Sequence, residues 1–165
     1  MKVLAKRLEA ITGMNISKTQ FGFRRGCGTR EAIGVMRTLC ERSLEHGNDM
    51  FICFVDFEKA FDRVDWTKLL QILKGLGVDW RDRRLIANLY LNQKSVVKVM
   101  QEFSEDSDIG RGVRQGCCIS PMLFNIYAEA MMTEAMEGIE EGIKVEGKLI
   151  QDVRFADDQG MIANT

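Results

Sequence analysis

Apolar residues recur every three or four positions in five stretches of the chain, which is the spacing of one face of an α-helix. The predicted helices cover approximately residues 3–13, 29–47, 65–77, 79–90 and 120 to Gly138 or Gly142. Residues that favour helix ends flank these stretches. We expect Thr29, Asp65, Asp79 and Ser120 to cap the first turns, with Pro121 at the first helical position of the last helix.

The same spacing predicts which side of each helix is buried. The expected buried face of the first helix includes Val3 and Leu4. In the second helix the expected face consists of Ile33, Met36, Cys40 and Leu44. In the last helix it consists of Leu123, Phe124, Tyr127 and Met131.

Continuous or alternating apolar residues predict strands in the remaining stretches. Residues 50–55 form an apolar run that is typical of a central strand buried on both faces, and Asp56 follows it directly. The valine-rich residues 95–100 indicate another strand. Near the C-terminus, residues 146–148 predict the turn of one hairpin, and Asp157-Asp158 predicts the turn of a second.

Helices and strands are mixed without strict alternation, which predicts an α+β fold. The chain has 165 residues, of which 45% are hydrophobic and 28% are charged. This composition predicts one globular domain and excludes a disordered chain. No apolar run approaches the roughly 20 residues that span a bilayer, and the N-terminus lacks the pattern of a signal peptide. The last predicted strand runs to the C-terminus, so the chain looks truncated.

Cysteine and charge add limited information about environment and partners. Five cysteines without a C-x-x-C pair indicate a reduced intracellular protein. The net charge is −1, but residues 1–50 carry 9 basic and 5 acidic side chains, whereas residues 129–165 carry 3 and 9. The basic N-terminal part is compatible with a phosphate-facing patch. An ordinary helix surface is the alternative, and charge alone favours it.

Three acidic residues stand where predicted strands end or turn. Asp56 follows a strand, and Asp157 and Asp158 lie at a hairpin apex. If the hairpin pairs beside the strand, all three carboxylates converge at one edge of the sheet. Such a cluster is destabilising unless cations neutralise it, and Mg²⁺ prefers carboxylate oxygens. Two such ions can promote phosphoryl transfer. Taken singly, each aspartate is more typical of a turn than of a metal site.

Four segments, in order along the chain, resemble conserved blocks of reverse transcriptases. They are Gln20-Phe-Gly-Phe-Arg-Arg-Gly-Cys-Gly-Thr29, Phe54-Val-Asp-Phe-Glu-Lys-Ala-Phe61, Gly112-Val-Arg-Gln-Gly116 with Ser120-Pro-Met-Leu-Phe124, and Arg154-Phe-Ala-Asp-Asp158. The combination is similar to the non-LTR (LINE-type) retrotransposon enzymes and covers nearly the whole chain. The resemblance implies a reverse-transcriptase right-hand fold with incomplete fingers, a palm of antiparallel sheet and packed helices, and no thumb.

The resemblance also implies an RNA-directed DNA polymerase that uses two metal ions. Asp56, Asp157 and Asp158 would hold two Mg²⁺ ions, which Mn²⁺ can replace, and the Phe57 carbonyl would add a ligand. The ions would activate a primer 3′-hydroxyl and stabilise charge on the dNTP phosphates. The implied partners are therefore an RNA template, a DNA primer and dNTPs, without a membrane; the oligomeric state stays open.

Further residues receive roles from the same resemblance. The ring of Phe61 would clash with the 2′-hydroxyl of an rNTP and select dNTPs, and a core phenylalanine is the alternative. The other implied contacts to nucleotide or primer are Arg114, Gln115, Gly116, Phe155 and Ala156. Arg24 and Arg25 would contact template phosphates, with ordinary exposed loop arginines as the alternative.

The resemblance divides the chain into segments of one incomplete domain. Residues 1–48 and about 66–112 would lie on the fingers side, and residues 49–65 and 113–165 would form the palm. The basic residues that clasp the triphosphate and the thumb have no counterpart, which predicts truncation at both ends. The family implies nuclear and cytoplasmic localisation, although no targeting signal is visible.

Two functions of different classes therefore remain open. The first is a nucleotidyltransferase fragment, which the three retained aspartates favour. The second is a catalytically inactive retroelement remnant that binds RNA or a protein, which the missing segments favour. Another palm-type enzyme, such as a nucleotide cyclase, leaves the segment from Gly112 to Phe124 unexplained.

Overall fold

A computed structural model describes residues 1–164, and residue 165, the last of the predicted palm segment, lies outside the described residues. Five α-helices and a short 3-10 helix (Ala60–Arg63) occur within the described range. The α-helices are α1 (Lys2–Asn15), α2 (Thr29–His46), α3 (Trp66–Gly75), α4 (Trp80–Tyr90) and α5 (Ser120–Ala135).

Nine short strands complete the described secondary structure. They are β1 (Phe51–Val55), β2 (Gln93–Ser95), β3 (Lys98–Val99), β4 (Glu102–Phe103), β5 (Ser107–Ile109), β6 (Ile143–Val145), β7 (Lys148–Ile150), β8 (Asp152–Phe155) and β9 (Asp158–Ala163). The pairs β2-β5, β3-β4 and β6-β7 form two-stranded antiparallel sheets, and β1, β9 and β8 form a three-stranded one. Helices combined with antiparallel strands confirm the predicted α+β class.

The chain divides into two compact units. The first unit combines Met1–Asn15 with Lys59–Tyr127. The second combines Ile16–Glu58 with the chain from Ala128 onward. The predicted division into fingers and palm segments is not tested by these boundaries and stays a prediction.

Helices α3 and α4 of the first unit begin at aspartate caps. The Asp65 carboxylate accepts a hydrogen bond from the Lys68 backbone N–H at 2.7 Å. The Asp79 carboxylate accepts one from the Arg81 N–H at 2.8 Å. Both caps were expected from the sequence, and they supply partners for N–H groups that a helix leaves unpaired at its start.

The core of the second unit lies between α2 and the three-stranded sheet. Its fully buried apolar members are Ala32, Leu39, Val153 and Ile162. The predicted buried face of α2 was therefore wrong, since Ile33 and Leu44 are exposed. The apolar residues cover about half of the circumference of this helix, and the side with Ala32 and Leu39 packs against the sheet.

Several local predictions also differ from the structure. Val3 and Met131 are exposed rather than buried. Residues 95–100 do not form one strand but separate into β2 and β3. Strand β1 is present, but it lies at the edge of its sheet, where Phe54 is 77% exposed. The prediction of a central strand buried on both faces was therefore wrong, because β1 pairs with β9 alone and three of its five residues are exposed.

Two predicted caps are helical residues instead. Thr29 is the first residue of α2, and Gly28 occupies the cap position without a side-chain hydrogen bond. Ser120 is the first residue of α5, and its hydroxyl pairs with the Tyr90 hydroxyl at 3.1 Å. No helix among residues 1–164 is both long and apolar enough to cross a membrane.

Candidate functional site

The register of the three-stranded sheet brings three aspartates to one end of it. β1 and β9 are antiparallel, with Val55 opposite Gln159, so Asp56 and Asp158 each stand one position further on. β8 and β9 form a hairpin in which Phe155 pairs with Asp158, which leaves Ala156 and Asp157 in the turn. The expected pairing of the hairpin beside the strand is therefore confirmed, and all three aspartates belong to the second unit.

The three carboxylates have environments suited to binding a cation from solution. Asp56 and Asp158 are exposed, and Asp157 is half-buried. Within residues 1–164, none of them forms an ion pair or hydrogen bond with another side chain. Carboxylate oxygens are the ligands that Mg²⁺ prefers. No three acidic, histidine or cysteine side chains in the described part of the chain are close enough together to form a complete metal site. The carboxylate oxygens are therefore suitable ligands for a divalent cation, whereas the spacing of the side chains in this structure does not form a complete site.

The turn that carries Asp157 is held by a residue for which the sequence gave no role. Gln20 is buried, with 1% of its surface exposed. Its Oε1 atom accepts hydrogen bonds from the backbone N–H of Ala156 at 2.9 Å and of Gly22 at 2.8 Å. Its Nε2 atom donates to the Ala156 carbonyl at 3.3 Å. The only sequence signal was the position of Gln20 in a motif that resembles a family block.

A buried arginine fixes the strand that leads into the same turn. Arg154 is 2% exposed and forms ion pairs with Asp152 at 3.0 Å and Glu129 at 3.1 Å. Thr19 Oγ1 donates to the other Asp152 oxygen at 2.5 Å. The Arg154 charge is therefore neutralised within the second unit, which makes this residue structural.

Phe155 lies beside an apolar groove of about 420 Å³ in the second unit. The groove lies between the N-terminal half of α2 and the sheet, and Asp158 stands at its border. Its other apolar walls include Ile33, Met36 and Phe54. Phe155 and Ala156 directly precede Asp157 and Asp158 in the chain and lie in the same hairpin. Phe57, which follows Asp56, is half-buried.

Phe61 belongs to the first unit and is partly accessible. Its ring stacks on that of Phe124, with centroids 4.5 Å apart and planes 10° from parallel. Phe124 is itself buried in α5. Phe61 is thus held in place by a buried partner while part of its ring remains available.

The loop that precedes α5 is anchored to the first unit by its backbone. Gly112 N–H donates to the Val64 carbonyl at 2.8 Å, and Val113 N–H donates to the Phe61 carbonyl at 2.9 Å. A Cβ at Gly112 would lie 3.0 Å from Asp62 Cα, and Gly112 has a φ of +97°. Glycine is therefore required here for both space and conformation.

The three predicted nucleotide contacts that follow in this loop are all exposed. Arg114 Nε donates to Gln93 Oε1 at 3.0 Å. The side chain of Gln115 and the backbone of Gly116 are exposed to solvent. Gly116 has a φ of +79°. Like Phe61, these residues lie in the first unit, whereas the aspartates lie in the second.

The two arginines of the predicted template contact differ in their surroundings. Arg24 Nη1 donates to the carbonyls of Ser17 at 2.7 Å and Gln20 at 3.0 Å, so this side chain ties down its own loop. Arg25 is exposed, and its side chain forms no hydrogen bond or ion pair within residues 1–164. The guanidinium group of Arg25 is therefore more accessible to a phosphate than that of Arg24.

Sequence comparisons match the chain to known proteins. The family profile described as Reverse transcriptase (RNA-dependent DNA polymerase) matches residues 1–165. The RNA-directed DNA polymerase from mobile element jockey of Drosophila funebris is 33% identical over 128 residues, which are 77% of this chain and 14% of that protein. The Pol polyprotein from type-1 retrotransposable element R2 of Nasonia vitripennis is 29% identical over 140 residues, which are 84% of this chain and 13% of that protein. The chain thus spans about one seventh of these relatives.

A solved structure shares the fold at low sequence identity. Telomerase from Candida albicans, in complex with a fragment of telomeric RNA, superposes with a TM-score of 0.68 and 12% identity. The similarity covers 98% of this chain and 30% of that one. The right-hand fold expected from the sequence is therefore confirmed as a partial reverse-transcriptase fold.

Proposed function

Because the profile match spans its whole length, the chain belongs to the reverse transcriptase family, and we propose that it forms part of an RNA-directed DNA polymerase from a non-LTR retrotransposon. The proposed reaction joins a dNTP to a primer 3′-hydroxyl on an RNA template. The observation that carries this proposal is the position of Asp56, Asp157 and Asp158 at the same end of one sheet.

Reverse transcriptases depend on divalent metal ions, and we propose that the three aspartates and the Phe57 carbonyl hold two Mg²⁺ ions. Mn²⁺ has the same oxygen preference and can replace them. When bound, such ions lower the barrier by stabilising negative charge on the attacking and leaving oxygens. The chain contributes rigid placement, because the pairing of β1 with β9 fixes the spacing of the strands that carry Asp56 and Asp158.

The residues outside the aspartate cluster have proposed roles in binding substrate. The stacked ring of Phe61 would exclude a ribose 2′-hydroxyl, since the buried Phe124 prevents it from moving aside. Gly116 would allow close approach of the nucleotide, while Gln115 and Arg114 would hydrogen-bond it. Phe155 and Ala156 would lie against the primer terminus.

The proposed partners are an RNA template and a DNA primer. Arg25 would meet template phosphates directly, whereas Arg24 would act mainly by holding the loop. Phosphate contacts of this kind position a nucleic acid without reading its sequence. The template preference is therefore expected to arise elsewhere.

Primer extension on an RNA template with dNTPs and Mg²⁺ tests the proposal. We expect extension by the wild-type chain and none by Asp157→Asn, because the amide cannot replace a charged ligand. Asp157→Asn should fold at least as stably as the wild type, since the substitution removes repulsion from its neighbours. Circular dichroism and thermal unfolding check the fold of each protein.

Asp49→Asn is the matched control, because Asp49 is another exposed aspartate of the second unit. It should leave extension unchanged. Extension by Asp157→Asn at the wild-type rate would contradict the proposed site. A folded wild type that extends no primer would contradict activity of the isolated chain and would favour the inactive remnant.

A further inference from the structure

Gln20 uses its buried amide to hold the backbone of a single residue. Both hydrogen-bonding groups of Ala156 are engaged, because its N–H donates to Oε1 and its carbonyl accepts from Nε2. The same Oε1 also accepts from the Gly22 N–H, which fills the two acceptor positions of that oxygen. Gln20 therefore links its own segment to the β8–β9 turn through two hydrogen bonds, and a third hydrogen bond joins its side chain to Gly22 within that segment.

The residue that Gln20 holds has an uncommon conformation. Ala156 has a φ of +59°, in the left-handed region that residues with a Cβ rarely adopt. Such a conformation persists when surrounding contacts favour it over the alternatives. The amide of Gln20 provides contacts of this kind, since it bonds to the groups on both sides of the Ala156 Cα.

Gly22 brings the same segment into direct contact with the turn. A Cβ at Gly22 would lie 2.8 Å from Ala156 Cα and 2.9 Å from Ala156 Cβ, and it would meet the Ala156 nitrogen as well. The segment also pairs with β8, because Arg154 N–H donates to the Thr19 carbonyl and Phe21 N–H donates to the Arg154 carbonyl, each at 2.8 Å. Residues 19–22 thus cover the free edge of β8 up to its turn.

We propose that Gln20 is a positioning residue that fixes Ala156 and thereby sets the direction in which Asp157 leaves the sheet. Asp157 is the next residue, so a change in the Ala156 dihedral angles would swing its carboxylate. When a residue that orients a metal ligand through hydrogen bonds is replaced, the metal affinity commonly falls 10–100-fold. This inference rests on the proposed function, because it assigns to Asp157 the role of a metal ligand.

Gln20→Met tests the proposal, because methionine has a similar length but cannot form the three hydrogen bonds. Gln151→Met is a matched control in the same unit. Gln151 Nε2 donates to the carbonyls of Ile139 at 2.7 Å and Glu141 at 3.0 Å, so the control also removes a side-chain amide from backbone partners. The difference in Mn²⁺ affinity between the wild type and Asp157→Asn gives the part of metal binding that requires the Asp157 carboxylate.

Two measurements on the full chain separate positioning from a general loss of stability. The first is the Kd for Mn²⁺, measured by water proton relaxation. The second is amide hydrogen exchange at Ala156, compared with Ile162, whose N–H donates to the Gln151 carbonyl within the sheet region. Urea unfolding of each variant gives the global stability.

For Gln20→Met we expect Mn²⁺ affinity to fall about tenfold or more. We also expect Ala156 exchange to accelerate relative to Ile162. Gln151→Met should change neither quantity beyond the effect of its lower stability. Equal losses of Mn²⁺ affinity in the two variants would overturn the proposal, as would unchanged exchange at Ala156 in Gln20→Met.

The failure of the proposed function has a different signature. A wild-type chain whose Mn²⁺ affinity equals that of Asp157→Asn would overturn the proposed metal site and, with it, the metal-positioning role of Gln20. Asp157-dependent binding that survives Gln20→Met would overturn only the positioning role.

Discussion

At the scale of single residues, the buried hydroxyl of Tyr90 links two helices of the first unit. Tyr90 ends α4 and is 2% exposed, and its hydroxyl pairs with Ser120 at the start of α5. Burial raises the pKa of Tyr90, while the hydrogen bond to Ser120 opposes the shift in part. The folded protein therefore favours the neutral phenol more strongly than the unfolded chain does.

We expect this shift to make the protein less stable in alkaline solution. The neutral Tyr90 phenol contributes fully to the free energy of unfolding below about pH 10, which is the pKa of tyrosine in the unfolded chain. This contribution is lost as the pH rises through the higher pKa of Tyr90 in the folded protein. Tyr90→Phe should be less stable at pH 8 by about 1 kcal/mol, because Ser120 loses its partner. The variant should then lose less stability between pH 8 and pH 11 than the wild type. Urea unfolding measures both, with Tyr127→Phe as the control, and identical pH dependence in Tyr90→Phe would contradict the interpretation.

The ring of Phe61 supports a second prediction at this scale. Phe61→Val removes the stacking on Phe124 and opens space at its exposed side. If the ring excludes ribose, incorporation of rNTPs relative to dNTPs should rise about tenfold or more in primer extension. Phe103→Val, at an exposed phenylalanine of the same unit, should leave the ratio unchanged. An unchanged ratio in Phe61→Val would assign Phe61 to packing alone.

At the scale of secondary-structure elements, the capping of α3 gives a prediction about stability. Asp65→Ala removes the hydrogen bond to the Lys68 N–H and leaves a helix N-terminus without its side-chain partner. The free energy of unfolding should fall by about 1 kcal/mol. Asp65→Asn keeps an acceptor oxygen and should restore most of the loss. Equal stability of Asp65→Ala and the wild type would show that solvent replaces the cap fully.

The elements themselves could largely be predicted from the sequence, because their signals are local. Asp65, Asp79 and Gly47 marked real helix ends, and Gly47 has the left-handed φ of +62° that a helix stop needs. The two C-terminal hairpins followed from their turn residues. The three aspartates could be located for the same reason, since each directly follows or interrupts an apolar run.

Other features could not be predicted because they depend on contacts distant in sequence. The buried side of α2 is chosen by the sheet and not by the helix, whose apolar residues allow more than one face. The edge position of β1 depends on strand order, which local hydrophobicity does not report. The role of Gln20 depends on Ala156, which lies 136 positions further along the chain.

At the scale of the whole molecule, the proposed contact with nucleic acid leads to a prediction about salt dependence. Residues 1–50 carry 9 basic and 5 acidic side chains, although the net charge of the chain is −1. Binding to an RNA–DNA duplex should weaken about tenfold or more between about 50 and about 200 mM salt, through counterion release. Arg25→Gln should lower the slope of log affinity against log salt by about 1. Arg37→Gln is the control, because Arg37 already pairs with Glu41 at 2.7 Å. A slope that Arg25→Gln leaves unchanged would contradict the phosphate contact.

The strand order of the second unit has a consequence for synthesis on the ribosome. β1 acquires its neighbour β9 only after most of the remaining chain has been translated. At roughly 5–20 residues per second, the wait between the synthesis of β1 and that of β9 is on the order of ten seconds. During that time the nascent β1 exposes an unpaired apolar edge, which invites pairing with other chains. We therefore expect chaperones that cover nascent strands to raise the yield of folded protein. Any premature stop before β9 would remove the sheet and the aspartate cluster together.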